Sequence, residues 1–497
     1  MPKKNNLFLL IQSLTKAEKR YFKLFAATNN ANANYLLLFD AIDKQDEYDE
    51  QAIKKQFGGK PFIKQLHVTK NYLSRLILKS LRNYHSKLSK EAELKDLLRD
   101  IEILFRRELF DQCNDSIEKA KAIALEFEKR LDLLEICNWK RKLLLAKYGA
   151  GKSREEINTL ICQEKASLDA MLQEKEYWHL TINIFDELYN DTHSSGQPSA
   201  VMPNHPLLKN PGKAKTFQAK ILYYYILQSY YFFEGNYKKA EAVVSELIRF
   251  IESCPGQIKD NPATYFKALN NKTGICLHLK NYRKVEQLLK KIRTLPGRLG
   301  LKNDDPITTK MILHTYNLEL EMYRDTRQID EGIVLVDEVT SFLKKNPRSI
   351  SDNYRLLLYY QFAYLFFLKN ECEKSLFWLN EIFRRKLDSP REDILSYAQL
   401  LRLIIHFELD NITILKYMVD ACRRFLKKKR NLYQFEKALL RFFSKASLAY
   451  PEDYPQLFQK LNAELFIDTD EKMIKSALDY LDFKRWVDGK VKRNASF

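Results

Sequence analysis

Three features of the sequence predict an all-α fold, an array of helical hairpins with an N-terminal helical module. Gly and Pro number only 13 and 14 among 497 residues, while the hydrophobic share is 45% and the charged share 30%, the profile of helices joined by short connections. The pattern Gly235-Asn236-Tyr237-Lys238-Lys239-Ala240 returns in weakened form downstream. Helix-start signals form a second ladder that alternates with it.

Residues 1–90 make the N-terminal module. Thr15 and Glu18 have the spacing of a capping box, in which each residue satisfies a backbone donor of the first helical turn. It starts a helix at Lys16 to Ala27, and further helices are predicted near 34–43, 49–57 and 62–87. Between Gln51 and Lys90 ten basic residues occur and no acidic one, among them Lys64, Lys70, Arg75, Lys79 and Arg82. On the last helix Leu73, Leu76, Ile77, Leu81 and Tyr84 form an apolar stripe, with Asn71, Arg75, Lys79 and Arg82 on the opposite side.

Residues 91–190 continue as helical hairpins, with helices predicted at about 92–108, 111–129, 131–148, 153–173 and 175–190. Gly149-Ala150-Gly151 is expected to end the third of these, and Ser153 with Glu156 to cap the fourth. Periodicity then stops. Pro198, Pro203, Pro206 and Pro211, with neighbouring Ser and Gly, mark residues 191–215 as a loop.

Residues 216–450 carry the two ladders. Tyr237 to Val244 and Tyr282 to Leu289 match in pattern, and Ile329 to Val336 and Cys372 to Leu379 keep the same apolar-small-apolar spacing, which lies on one helix face. The small position recurs at Ala240, Val285, Gly332 and Ser375, in steps of 45, 47 and 43 residues, with an earlier echo at Phe110 to Ile117. The second ladder is Asn261-Pro262, Asp305-Pro306 and Ser389-Pro390-Arg391-Glu392, each a side-chain cap followed by Pro at the first helical position, where its missing N–H costs nothing. A further start is expected near Ser351-Asp352. Helix starts therefore alternate at 262, 282, 306, 329, about 351, 372, 390 and 412. Residues 451–497 are expected to hold two capping helices, Pro451 to Leu465 and Asp470 to Asp488.

The order Tyr224, Leu227, Tyr231, Gly235, Tyr237, Ala240, Val244 resembles a tetratricopeptide repeat, and Tyr359, Phe362, Ala363, Phe366, Asn370, Cys372, Ser375 and Leu379 follow the same frame. The resemblance covers about residues 216–430. The units are 40 to 47 residues long against 34 in that family, and one unit alone has both the glycine and the alanine. It implies a right-handed superhelix whose first helices line a concave side. Carried onto this sequence, the partner-binding positions are Tyr225, Ser229 and Phe232, then Asn317, Glu321 and Arg324, then Tyr360, Tyr364 and Phe367. These aromatic positions either line a groove for a protein or peptide segment or pack in the core.

Chemistry is sparse. The sequence has no H-E-x-x-H, no phosphate-binding glycine loop and no G-x-S-x-G. The eight histidines are scattered, and the seven cysteines lie at least 22 residues apart without a C-x-x-C pair, as expected of buried thiols in a reducing compartment. No enzyme activity, metal or cofactor is expected. The longest apolar stretches are 13 residues, short of the roughly 20 that cross a bilayer, so a soluble cytoplasmic protein is expected. Net charge is +19, which favours acidic partners and also keeps a large protein soluble. The leading expectation is a protein-binding scaffold. The alternative is a nucleic-acid-associated regulator contacting phosphate through residues 50–90, since three short helices, a Gly58-Gly59 turn and a basic helix are similar to a helix-turn-helix reader.

Overall fold

The computed structural model describes residues 6–28, 33–86, 89–152, 154–191, 205–303, 305–347, 350–384, 391–427, 432–465 and 471–494. Helices are its regular elements, and no strand occurs among the described residues. Two compact units form: residues 1–189, 198–272 and 296–307 in one, and 190–197, 273–295 and 308–497 in the other.

The first unit opens with α1 (Asn6–Ser13), α2 (Lys16–Thr28), α3 (Ala33–Asp43), α4 (Glu50–Gln56), α5 (Pro61–Lys64) and α6 (Leu66–Tyr84). The Thr15–Glu18 capping box forms: Thr15 N–H donates to Glu18 Oε2 at 2.7 Å and Glu18 N–H to Thr15 Oγ1 at 3.2 Å. The helix expected at 62–87 is divided at Gln65 into α5 and α6. Phe22, Phe39, Ile42, Leu73 and Ile77 are buried in this module's own core.

Next come α7 (Lys90–Arg106), α8 (Phe110–Glu126), α9 (Arg130–Lys152) and α10 (Arg154–Asp191). Helix α9 runs through Gly149-Ala150-Gly151 to Lys152, because glycine weakens a helix by about 1 kcal/mol without removing a hydrogen bond. The two helices expected at 153–173 and 175–190 are one, α10. Gln173-Glu174-Lys175-Glu176 are good helix formers, so nothing at that point breaks the chain. Ser153 and residues 192–204 lie outside the described residues.

Helices in sequence-adjacent pairs follow as α11 (Phe217–Phe233), α12 (Tyr237–Glu252), the short α13 (Pro255–Asp260), α14 (Pro262–His278), α15 (Tyr282–Arg298), α16 (Pro306–Thr326), α17 (Ile329–Lys345), α18 (Asp352–Leu368), α19 (Cys372–Arg384), α20 (Glu392–Glu408) and α21 (Ile412–Lys427). From α14 on, their starts fall at or within one residue of the alternating ladder, except that α20 begins at Glu392, two residues past the expected 390. Asp305 caps α16 by accepting from Ile307 N–H at 3.1 Å; Ser389 and Pro390 lie outside the described residues.

The chain ends in α22 (Gln434–Ala446), α23 (Tyr454–Glu464), α24 (Glu471–Tyr480) and α25 (Phe483–Asn494). Helix α22 carries no Ser, Thr, Asp or Asn at its start; Glu436 Oε2 accepts instead from Tyr433 N–H at 2.9 Å. The helix expected from Asp470 to Asp488 is broken at Leu481-Asp482 into α24 and α25. Phe458, Leu461, Leu481, Phe483 and Val487 are buried in the same core as α18 and α20.

One turn geometry joins the hairpins. The residue two positions before the start of α8, α9, α12, α15, α17, α19 and α21 has positive φ: Glu108 58°, Glu128 52°, Gly235 77°, Lys280 56°, Arg327 63°, Asn370 66° and Asp410 55°. The next residue's N–H then reaches a carbonyl five residues back, as Asn236 to Tyr231 at 2.8 Å, Asn281 to Cys276 at 2.9 Å and Glu371 to Phe366 at 2.9 Å. This left-handed cap satisfies carbonyls at the end of the first helix. Gly235, the sequence's opening signature, is thus one glycine among seven equivalent turns.

The small position has a packing cause. A Cβ on Gly332 would lie 3.1 Å from Leu365 Cδ2, and Ser375 Oγ donates to Ala363 O at 2.5 Å with its residue fully buried. Cys113, in the earlier echo, makes the equivalent contact to Ile101 O at 3.7 Å, also twelve residues back. A bulky residue there would push two helices apart.

Candidate partner-binding site

Counted back from the left-handed turn residue, the nine carried-over positions occupy one register, ten, six and three residues before it, on α11, α16 and α18. In the first unit Tyr225 is buried; its hydroxyl donates to Thr264 O at 3.4 Å and Lys267 Nζ sits 4.5 Å from its ring centroid. Phe232 is half-buried beside Tyr237, with ring centroids 5.3 Å apart.

In the second unit the register brings α16 and α18 together. Arg324 is 8% exposed, pairs with Asp325 at 3.2 Å and Glu321 at 3.8 Å, donates to Gln361 Oε1 at 3.4 Å and lies 5.4 Å from the centroid of the Tyr364 ring. Burial raises the Glu321 carboxyl above its ordinary range, against the opposing pull of Arg324. Asn317 is half-buried and its Oδ1 has no hydrogen-bond partner among the described residues. Phe367 is half-buried and stacks on Tyr364, centroids 6.4 Å apart.

Tyr360 and Tyr364 are 2% and 3% exposed, so neither lines an open groove. What covers them is the chain's own C-terminal segment. Tyr360 Oη donates to Tyr480 O at 2.8 Å, and Tyr364 Oη accepts from Asp482 N–H at 2.8 Å. Burial raises both phenols above their ordinary pKa, Tyr360 well above it.

Further residues of α14 and α20, and of the turn after α16, meet the C-terminal segment and escaped the repeat frame. Asp393 Oδ2 accepts from Tyr480 Oη at 2.8 Å, and Tyr397 stacks on Tyr480 with centroids 4.7 Å apart and planes at 4°. Burial would raise the Asp393 carboxyl, but hydrogen bonds from Arg391 and Tyr480 outweigh it and hold the pKa below its ordinary value. Arg327 pairs with Asp482 at 3.5 Å, and Glu408 accepts from Trp486 Nε1 at 2.7 Å and pairs with Lys490 at 2.8 Å. His278, on α14, faces Asp479 at 3.7 Å. Beside this contact lies a cleft of about 420 Å³ lined by His278, Glu321, Arg324, Leu478 and Asp479. No periodic signal marks Asp393 or Arg327, because their partners lie some 90 to 155 residues away in sequence.

The basic candidates sit in the N-terminal module. Lys64, Arg75, Lys79 and Arg82 are exposed, and Val68 and Tyr72, 60% and 46% exposed, share the outer face of α6. Lys70 differs: it pairs with Glu50 at 3.2 Å, and Glu50, bonded first to Lys54 and then to Lys70, has its pKa lowered to about 2. The sequence run without carboxylates therefore does not give Lys70 a free charge, since Glu50 precedes it by twenty residues and meets it in space.

All seven cysteines are free thiols. Among the described residues no cluster of His, Cys, Asp and Glu could hold a metal ion, and no helix is long and apolar enough to cross a membrane. No family model, curated protein or solved structure matches the chain.

Proposed function

We propose that the chain is a non-enzymatic scaffold, a degenerate tetratricopeptide-like superhelix of right-handed sense, that binds a protein or peptide segment on the faces of its first helices. The observation that carries this reading is that the α16, α18 and α20 faces already hold a peptide segment, through Tyr360 and Tyr364 on its main chain and Tyr397 on its side chain. Side chains that grip backbone atoms recognise a segment by its conformation, as grooves for peptides do. Free, mostly buried thiols suit a reducing compartment, and we place the protein in the cytoplasm.

The test is capture on tagged full-length chain from nuclease-treated lysate, followed by cross-linking. Cross-links from a partner to α16, α18 and α20 are expected. A partner whose cross-links all fall on second helices or the N-terminal module would refute the reading.

A second reading is favoured by one observation, the exposed Arg75, Lys79 and Arg82 in line with Tyr72 on α6. A face with cations and a ring but no carboxylate suits a nucleic-acid backbone. It is tested by the salt dependence given below.

A further inference from the structure

We infer that the site on α16, α18 and α20 is filled in cis by a replaceable mimic, and that the partner segment which displaces it carries a phenol ring flanked by carboxylates at the C-terminal end of a helix. This rests on the scaffold reading above and adds the chemistry of the partner and a means of control.

The chain's own segment defines what the site accepts. Leu478-Asp479-Tyr480-Leu481-Asp482 closes α24 and turns into α25. Its main chain is held at two points by phenols, Tyr480 O by Tyr360 and Asp482 N–H by Tyr364. Its ring lies flat on Tyr397 and its hydroxyl reaches Asp393. Its carboxylates meet basic side chains on either side, Asp482 the Arg327 guanidinium and Asp479 the His278 imidazole. An aromatic anchor, two main-chain bonds and flanking charge pairs make a specific peptide contact.

The two ends of this segment differ in how firmly they are held. Beyond it, Phe483 and Val487 are fully buried, Phe483 stacks on Phe435 at 5.0 Å, and Trp486 lies among Phe407, Phe443 and Phe458. At its start Asp479 is exposed and half-buried Leu478 lines the 420 Å³ cleft, so that among the described residues Ala477 and Leu481 alone tie this end of α24 fully into the core. Helix α25 is thus an anchor from which α24 can lift. Asn317 Oδ1, on the same faces and without a donor, is an acceptor that the cis segment leaves unused. A tethered segment competes at an effective concentration on the order of millimolar, so a partner binds weakly until α24 is released.

The experiment measures fluorescence anisotropy of a labelled synthetic peptide spanning residues 474–484 against full-length chain. Wild type is expected to bind it at least tenfold more weakly than the Tyr480→Ala/Asp482→Ala double variant. Adding Tyr397→Ala or Tyr364→Ala to that variant is expected to abolish binding, and a scrambled peptide not to bind. Equal binding by wild type and double variant, or none by either with helicity intact, would overturn the inference.

Hydrogen exchange on wild type is a second measurement that needs no substitution. Amides of 474–482 are expected to exchange at least tenfold faster than those of 485–492. Exchange of both at one common rate would mean that α24 is fixed core, and the inference would fail. Neither result touches the scaffold reading, which the cross-linking map decides separately.

Discussion

The seven left-handed turns allow a quantitative test of what holds the hairpins. Lys280 has φ 56°, is exposed and forms no ion pair among the described residues, so replacing it by glycine changes the backbone and little else. A non-glycine residue in this region costs about 1–2 kcal/mol, and glycine costs about 0.5–1 kcal/mol in extra unfolded-chain entropy. Lys280→Gly should therefore stabilise the α14–α15 turn by about 0.5–1 kcal/mol. The same gain is expected at Glu108 and Asp410, whose side chains likewise form no ion pair among the described residues.

Glu128 serves as a control, because its carboxylate accepts from Phe217 N–H at 2.8 Å and Glu128→Gly loses that bond. Gly235→Ala is the reverse test: a Cβ there meets nothing within 4 Å, so its cost of about 1 kcal/mol is conformational alone. Helical pairs open locally, so the assay is hydrogen exchange of the amides at 274–288. Lys280→Gly should slow them about two- to fivefold, at 1.4 kcal/mol per factor of ten. Unchanged or faster exchange in a chain of native helicity would refute the claim that these turns carry conformational cost.

Three other outcomes are expected. His314 is largely buried with Tyr354 Oη 2.8 Å from its Nε2, and burial, then Lys310, lowers its pKa from 6.5 to about 4. The folded state therefore binds fewer protons than the unfolded between these values, and stability present above pH 6.5 is lost as pH falls toward 4, by about 3 kcal/mol; melting between pH 7 and 4 should show a flatter acid limb in His314→Gln. Phe362 is fully buried, with its ring 4.9 Å from Trp378, and Phe362→Ala should cost about 3–5 kcal/mol by chemical denaturation. If the outer face of α6 binds nucleic acid, Arg75→Ala/Lys79→Ala/Arg82→Ala should reduce the slope of log K against log salt by about 3 on duplex DNA, about 0.9 for each phosphate no longer neutralised; an unchanged slope would place any binding elsewhere.

Much of the fold was legible because it is written locally. The Asn261-Pro262 and Asp305-Pro306 caps and the apolar-small-apolar spacing each act within one helical turn, so they place helix starts without knowledge of the rest of the chain. Misplaced boundaries came from residues that permit a break without imposing one: Gly149 and Gly151 inside α9, and Leu481-Asp482, where packing of Phe483 turns the chain. The fading of the Gly235 pattern along the sequence has a related cause. Lys280, Arg327, Asn370 and Asp410 adopt the backbone of Gly235, so the geometry persists where the glycine does not.

By itself the sequence determined most helix starts, their alternation and the small position at Ala240, Gly332 and Ser375, because capping, periodicity and close packing against a neighbour are short-range demands. Only the tertiary structure decided which faces are open. Tyr360 and Tyr364 could line a groove or pack in the core, and residues 120 and 118 positions later cover them; Lys70 stands in a run without carboxylates, yet Glu50 pairs with it. Burial and charge pairing depend on what the folded chain brings close, and no local pattern specifies that.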